Sequence, residues 1–408
     1  MERTLRLKGD QSTSRALNRR LILNLLRADG PKSRADIAVA TGLSPAAVTF
    51  VVADLLKENF LTEGESRSGN SGRRPIPLDI NYAGRLVVGV QLKVGSIACV
   101  LTDLATTPIA QIQLPLPDQS PQTVAKVSAE ASRRLLAKVK SSNAGVTGIG
   151  IAVPGIIDTA TGVCRRSHRF DWTDAPIGAI LADEVRVPVW VDDDTNAFAL
   201  AQQLFGPARN LKTVGALAIG AGISCAVIVN GGVHHGANGA AGKLGHIPFG
   251  PNGPMCECGR RGCLQAWFSE PALVQRWRQR RSLGPEATRH DMLGAAQAGD
   301  AEAIGLLAEA GEGIGRALGD FCNIVDPEAI VVGGEAVVFG DLLFDPMRAV
   351  LERYVLSTPP PIRPDWSDNS WARGAAALAT QQLFDFEAVS GNIRAGGSDT
   401  LSKATSLP

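Results

Sequence analysis

No stretch of this sequence reaches the roughly 18 uncharged apolar residues that a membrane-spanning helix needs; the most apolar region, Leu86 to Leu101, is broken by Gln91 and Lys93. The opening residues, MERTLRLKGDQSTSRALNRR, lack the apolar core of a secretory signal, so a cytoplasmic location is expected. A dominant charge is missing too, since 41 Lys and Arg face 40 Asp and Glu. Nor is there a disulfide framework. The 7 cysteines are an odd number, with Cys256, Cys258 and Cys263 crowded together and Cys99, Cys164, Cys225 and Cys322 scattered in apolar settings. That is the pattern of a metal cluster plus buried thiols. With 45% apolar and 20% charged residues over 408 positions, neither a disordered chain nor a fibrous repeat fits, and two or three folded domains are expected.

The charge asymmetry lies at the front, where residues 1–84 hold 13 Lys and Arg against 9 Asp and Glu. So mild an excess fits a nucleic-acid-binding head or merely a solvated surface. Periodicity says more. Leu17, Leu21, Ile22, Leu25 and Leu26 recur at three- and four-residue spacings, predicting a helix that Asp29-Gly30-Pro31 stops. Ser33, with Asp36 three residues on, is a carboxylate form of the capping box and opens a short second helix that Thr41-Gly42 ends. Ser44 then caps a third helix with Pro45 at its first position and Val48, Val51, Val52, Leu55 and Leu56 facing inward.

Helix, glycine turn, helix is the geometry in which the second helix lays its N-terminal residues along base edges in the major groove. Ser33, Ser44, Pro45, Ala46, Ala47, Thr49 and Phe50 are therefore the candidate DNA contacts. A strand from Phe60, a basic loop from Ser66 to Pro75 and the apolar Ile76 to Ile80 suggest a wing, with Arg67, Arg73 and Arg74 meeting phosphates or a minor groove. Residues 1–80 thus read as a winged helix-turn-helix that binds double-stranded DNA. A small domain used for packing or dimerisation is the alternative.

From Arg85 the pattern changes to apolar runs alternating with helices: LVVGVQL, IACVLTDL, VTGIGIAVPG, VPVWVDDD, VGALAIGAGISCAVIVNGG and AIVVGGE. This predicts an α/β body of two lobes, residues 85–200 and 201–387, with a ligand cleft between them and the last helix returning to the first lobe. The Gly/Ser/Thr-rich tail, 388–408, is expected to be disordered. Within GKLGHIPFGPNGPMCECGRRGCLQAW, residues 242–267, His246 and the Cys256-x-Cys258-x4-Cys263 spacing supply one imidazole and three thiolates, a closed tetrahedral set suited to structural Zn2+. His234 and His235 read as exposed loop residues.

The zinc segment, AVPGIID at 152–158, VDDDTNAFALA at 191–201, NGGVHHGANGAAGKLGH at 230–246 and the N-terminal helices together resemble the ROK family. That family includes sugar-responsive transcriptional repressors and sugar kinases. The resemblance implies an actin-like, two-lobed fold for the body, and for the repressor branch a winged helix-turn-helix, an operator site bound as a dimer or higher homo-oligomer, and a carbohydrate-type effector.

A kinase of the family would carry an Asp-x-Gly-x-Thr-type loop after the first strand. Here Val90 to Ser96 reads VQLKVGS, Gln91 replaces the aspartate, and the expectation is no enzyme activity, with an active sugar kinase of the family as the alternative. The effector-site residues implied are Asp194, Asn196, Lys243, His246, Gln265 and Arg169. Three depart from the family pattern: Lys243 and Gln265 stand where glutamates normally accept sugar hydroxyls, and Arg169 falls near the usual asparagine. Cationic donors there suit an anionic sugar derivative. The alternatives are that Lys243 pairs with Asp193 or Asp194 and closes the site, that no effector binds and the chain is an interaction module, or that Asp192 to Asp194 merely cap a helix.

Overall fold

Ser33 and Asp36 close a reciprocal capping box, the serine Oγ accepting from Asp36 N at 3.2 Å and the carboxylate accepting from Ser33 N at 3.2 Å. This box starts α2 (Arg34–Thr41), which follows α1 (Gln11–Asp29) and ends at Gly42, whose φ of +71° only a glycine adopts without strain. Ser44 caps α3 (Pro45–Lys57), and the chain bends by 119° between α2 and α3. The short strands β1 (Leu61–Glu63) and β2 (Leu78–Ile80) pair antiparallel behind them. The computed structural model describes residues 11–65, 76–139, 145–365 and 370–382. The expected wing contacts Arg67, Arg73 and Arg74 and the tail 388–408 lie outside the described residues.

Two five-stranded sheets form the body. In the first lobe β3 (Arg85–Lys93), β4 (Ser96–Thr102) and β5 (Pro108–Pro115) make an antiparallel meander. After α4 (Pro121–Ala137), β6 (Gly145–Ala152) joins β3 in parallel. A three-stranded flap follows, β7 (Ile156–Asp158), β8 (Val163–Ser167) and β9 (Trp172–Ala175), then α5 (Ile177–Val185), β10 (Val189–Asp192) at the sheet edge and α6 (Asp194–Phe205).

The second lobe repeats the plan. Strands β11 (Val214–Ile219), β12 (Ile223–Val229) and β13 (Gly232–Val233) form its meander. Helices α7 (Leu264–Phe268), α8 (Glu270–Arg281), α9 (Arg289–Gln297) and α10 (Ala301–Val325) precede β14 (Ala329–Gly333), which runs parallel to β11. α11 (Asp341–Tyr354) leads to β15 (Ile362–Pro364), parallel to β14. The strand order, three antiparallel then two parallel, is the same in both sheets.

α12 (Ser370–Gln381) lies flat on the first sheet. A Cβ on Gly89 of β3 would fall 2.0 Å from Ala372 O, and one on Gly150 of β6 1.7 Å from Ala375 O, so only glycine admits the helix this closely. The winged-helix core is continuous with this layer: Ile22, Leu26, Ile37, Val52, Leu55 and Phe60 share one buried cluster with Val87, Leu104, Ala376 and Ala379. Tyr82 packs edge-on against Phe205 at the end of α6, with ring centroids 6.3 Å apart, and Arg209 donates to the carbonyl of Arg27 in α1. α6 therefore runs from the junction of the two lobes at its N-terminus to the winged-helix head at its C-terminus.

Candidate functional site

Four side-chain atoms able to ligate a metal converge within residues 246–263. The single-turn helix Leu244–His246 presents the imidazole, the Cys256-Glu257-Cys258 loop turns back at Gly259 (φ +84°), and Cys263 caps α7. His246 Nδ1 lies 3.6 Å from Cys256 Sγ, Cys258 Sγ lies 3.7 Å from Cys263 Sγ, and all four ligand atoms fall within 4.8 Å of one another. With Zn–S near 2.3 Å, a tetrahedral edge is about 3.8 Å, so this His/Cys3 set is compatible with a structural metal ion. Gln265 braces it, donating Nε2 to Cys256 Sγ at 3.6 Å.

The cleft side chains come from both lobes. Asp193, the N-cap of α6, accepts from Thr195 N at 3.1 Å and from Gly155 N at 3.2 Å, and it takes the Lys243 ammonium at 2.6 Å. Lys243 also donates to Gly155 O at 2.7 Å. Burial pulls its pKa down, but Asp193 and then Asp194 outweigh that and hold the ammonium above its ordinary value. Asp194 is pushed up to about 7, by burial first and by the Asp193 carboxylate second. Asp192 accepts from Asn196 Nδ2 at 3.0 Å and meets His235 Nε2 at 2.8 Å.

Across the cleft, Arg169 grips Glu257 with Nη2 at 3.2 Å and Nε at 3.3 Å, and also donates to Ala221 O at 3.2 Å. Gln265 Nε2 reaches the same carboxylate at 3.0 Å. Burial raises the Glu257 pKa, but Arg169, Gln265 and His246 together bring it below the usual carboxylate value.

Asp194, Lys243, His246, Gln265 and Arg169 thus gather round one cleft. Asn196 is buried and braces Asp192. His235 is half-buried on Asp192, which corrects the reading of an exposed loop histidine; His234 is exposed as expected. Glu257 was not a candidate in the sequence, because a lone residue between two cysteines carries no spacing signal. Gln91 lies within β3, paired with Ala98 and Ala152, and only Val94-Gly95 separates β3 from β4. Where a kinase of the family would carry an aspartate and a glycine-rich turn, this hairpin offers Gln91 and the single glycine Gly95.

At the head, Ser44, Pro45, Ala46, Thr49 and Phe50 are exposed along the first turns of α3, and Ala47 is half-exposed. Thr49 Oγ1 donates to Pro45 O at 2.8 Å, and Arg15 lies over the Phe50 ring at 5.0 Å. Ser33 is buried, its hydroxyl donating to Asp36 Oδ2 at 2.7 Å, so it holds α2 and does not present itself outward.

These parts define a class of protein: a winged helix fused to a two-lobed body of the actin-like, sugar-kinase kind. The chain belongs to the ROK family, whose model matches residues 87–382, and a winged helix-turn-helix DNA-binding model matches residues 15–62. Similar curated proteins include the xylose repressor of Bacillus spizizenii, 28% identical over 341 residues, 84% of this chain and 88% of that protein. Another is the DNA-binding transcriptional dual regulator NagC of Escherichia coli, 25% identical over 387 residues, 92% of this chain and 95% of that one.

Among solved structures, a ROK family transcriptional regulator described as a homolog of E. coli MLC protein superposes with a TM-score of 0.81 at 23% identity, covering 96% of this chain and 99% of its own. A ROK family glucokinase from Streptomyces griseus, in complex with glucose and AMPPNP, gives 0.64 at 25% identity over 72% and 99%. The regulator accounts for head and body; the kinase accounts for a share that fits the body alone. Among the described residues no single helix is long and apolar enough to cross a membrane.

Proposed function

We infer that this chain is a DNA-binding transcriptional repressor of the ROK family, not a kinase, whose grip on an operator is set by a carbohydrate effector in the interlobe cleft. One observation carries this: the capped, outward-facing N-terminus of α3 belongs to a head whose core is shared with the body, while Gln91 stands where a kinase of the family would carry its aspartate. Relatives known as xylose repressor and N-acetylglucosamine repressor support a sugar as effector.

In this reading the protein acts in the cytoplasm as a homo-oligomer, paired α3 helices entering successive major grooves about one or two helical turns apart. The exposed apolar side chains of Val229 and Ile324, 41% and 82% accessible, are consistent with self-association. His246, Cys256, Cys258 and Cys263 hold a structural Zn2+, whose four protein ligands leave no open position for water. An effector moves the balance only through its different affinity for two lobe arrangements, and α6 links that arrangement to the head.

Footprinting of the full chain on DNA flanking its own gene and on selected random duplexes tests the reading. A roughly palindromic protected site is expected, weakened by Ala46→Glu, which sets a carboxylate against the DNA, and by Arg73→Ala with Arg74→Ala. No selective protection between about 50 and 150 mM salt, together with ATP turnover on a sugar, would establish the kinase instead.

A further inference from the structure

Two cationic side chains in the cleft, Lys243 and Arg169, invite an anionic ligand until their partners are counted. Lys243 is held by Asp193 at 2.6 Å and by Gly155 O at 2.7 Å, and its side chain is only 23% exposed. Arg169 is held by both oxygens of Glu257 and by Ala221 O, and is 19% exposed. Each cation already faces one carboxylate. A phosphate or carboxylate ligand would have to displace Asp193 or Glu257, then share the cleft with the displaced charge and with Asp194. Like charges packed this way are strongly disfavoured in a partly buried site.

The same geometry shows where a hydroxyl acceptor comes from. Gln265 has an amide where the family resemblance leads one to expect a carboxylate, and that amide donates to Glu257 Oε1 at 3.0 Å. Glu257 thus brings an acidic group within one hydrogen bond of the position that lost it. Arg169 Nε, Arg169 Nη2 and Gln265 Nε2 fix both its oxygens. A carboxylate accepts about four hydrogen bonds, so capacity remains for a ligand hydroxyl, and the Glu257 side chain is 34% exposed. Arg169 comes from the β8–β9 segment of the first lobe and Glu257 from the metal loop of the second. A hydroxyl on Glu257 therefore competes at a contact that ties the lobes together.

We propose that Glu257 is the specificity-determining carboxylate of the effector cleft, accepting a hydrogen bond from a ligand hydroxyl and selecting uncharged sugars over their phosphorylated or acidic derivatives. This rests on the reading of the cleft as an effector site. Because Glu257 is held by Arg169 and Gln265, its geometry is set before the ligand arrives, and a ligand without the hydroxyl leaves a partly buried carboxylate short of a partner.

The test is titration calorimetry of the full-length protein with D-xylose, D-glucose and N-acetyl-D-glucosamine, each beside its phosphate ester. At least one neutral sugar is expected to bind, and tighter than its ester. Glu257→Gln is expected to weaken that sugar about tenfold to a hundredfold, the range for loss of a charge-assisted hydrogen bond. Monodeoxy analogues separate contact from mere support: removing one particular hydroxyl should weaken binding to the wild type and cause no further loss in Glu257→Gln. Glu257→Asp, which keeps the charge, is read in the same way if the glutamine variant does not fold.

Tighter binding of an ester, unchanged affinity in Glu257→Gln, equal deoxy losses in both proteins, or no binding by any of the six compounds would each overturn the proposal. Operator binding is measured separately on the same preparation. A protein that binds DNA but no sugar then sinks this inference and the sugar-effector part of the reading while the repressor stands, and one that binds sugar but no DNA sinks the repressor reading.

Discussion

The two polar constellations, one within the second lobe and one between the lobes, are made in opposite ways. The His/Cys3 cluster draws all its ligands from residues 246–263, a single loop whose glycine turns bring them together. The clasp across the cleft joins Arg169 to Glu257 and Lys243 to Asp193, partners 88 and 50 positions apart that meet only when both lobes have formed. Their energetics differ accordingly. A closed metal cluster carries its own binding free energy and holds its loop whatever the lobes do. A clasp of ion pairs is nearly balanced between desolvation and attraction, which leaves it open to replacement by a ligand.

Breaking the local cluster should give the largest effect. Cys263→Ser is expected to lose the proposed zinc and more than about 5 kcal/mol of apparent stability, read by metal analysis and denaturant unfolding. Breaking one side of the clasp should cost less: Lys243→Met leaves Asp193 without its cation, at about 3 kcal/mol. Adding Asp193→Asn to the same chain should recover most of that loss, which a double-mutant cycle measures.

The pH response sharpens the comparison. In an unfolded chain Asp194 titrates near 3.8, but in the cleft it titrates at about 7. Between those values the folded state holds the proton more tightly, so this group's effect on stability declines as pH rises from about 4 to about 7. Asp194→Asn should remove that decline, and unfolding midpoints at pH 5 and pH 7.5 would show an unchanged slope if the assignment were wrong. The smallest change lies in the head, where Ser33→Ala removes a cap and is expected to cost about 1 kcal/mol, visible as a lower unfolding temperature.

What could be read along the chain follows the same division. The capping box at Ser33 and Asp36, the Gly42 turn and the Ser44-Pro45 start of α3 are interactions within four residues, and each forms where the spacing predicts. The cysteine spacing announced the convergence of His246, Cys256, Cys258 and Cys263 for the same reason. The cleft was legible only as a set of names. Asp194, Lys243, Gln265 and Arg169 were picked out, but the carboxylate that faces Arg169 was not, and the anionic-ligand expectation took both cations as unmatched. Lys243 takes Asp193, one of the alternatives the sequence left open. Glu257 carried no signal, and His235 was taken for surface until β10 brought Asp192 to it at 2.8 Å.

The sequence by itself determined the class of the protein, a capped DNA-reading head before a duplicated α/β body with a cysteine-rich loop, because caps, strand runs and ligand spacings act over a few residues. Only the tertiary structure decided that the head shares its core with α12, that α6 spans from cleft to head, and that each cleft cation is already matched by a carboxylate. Those facts depend on which distant segments become neighbours, and a charge has no chemistry of its own until its neighbours are known.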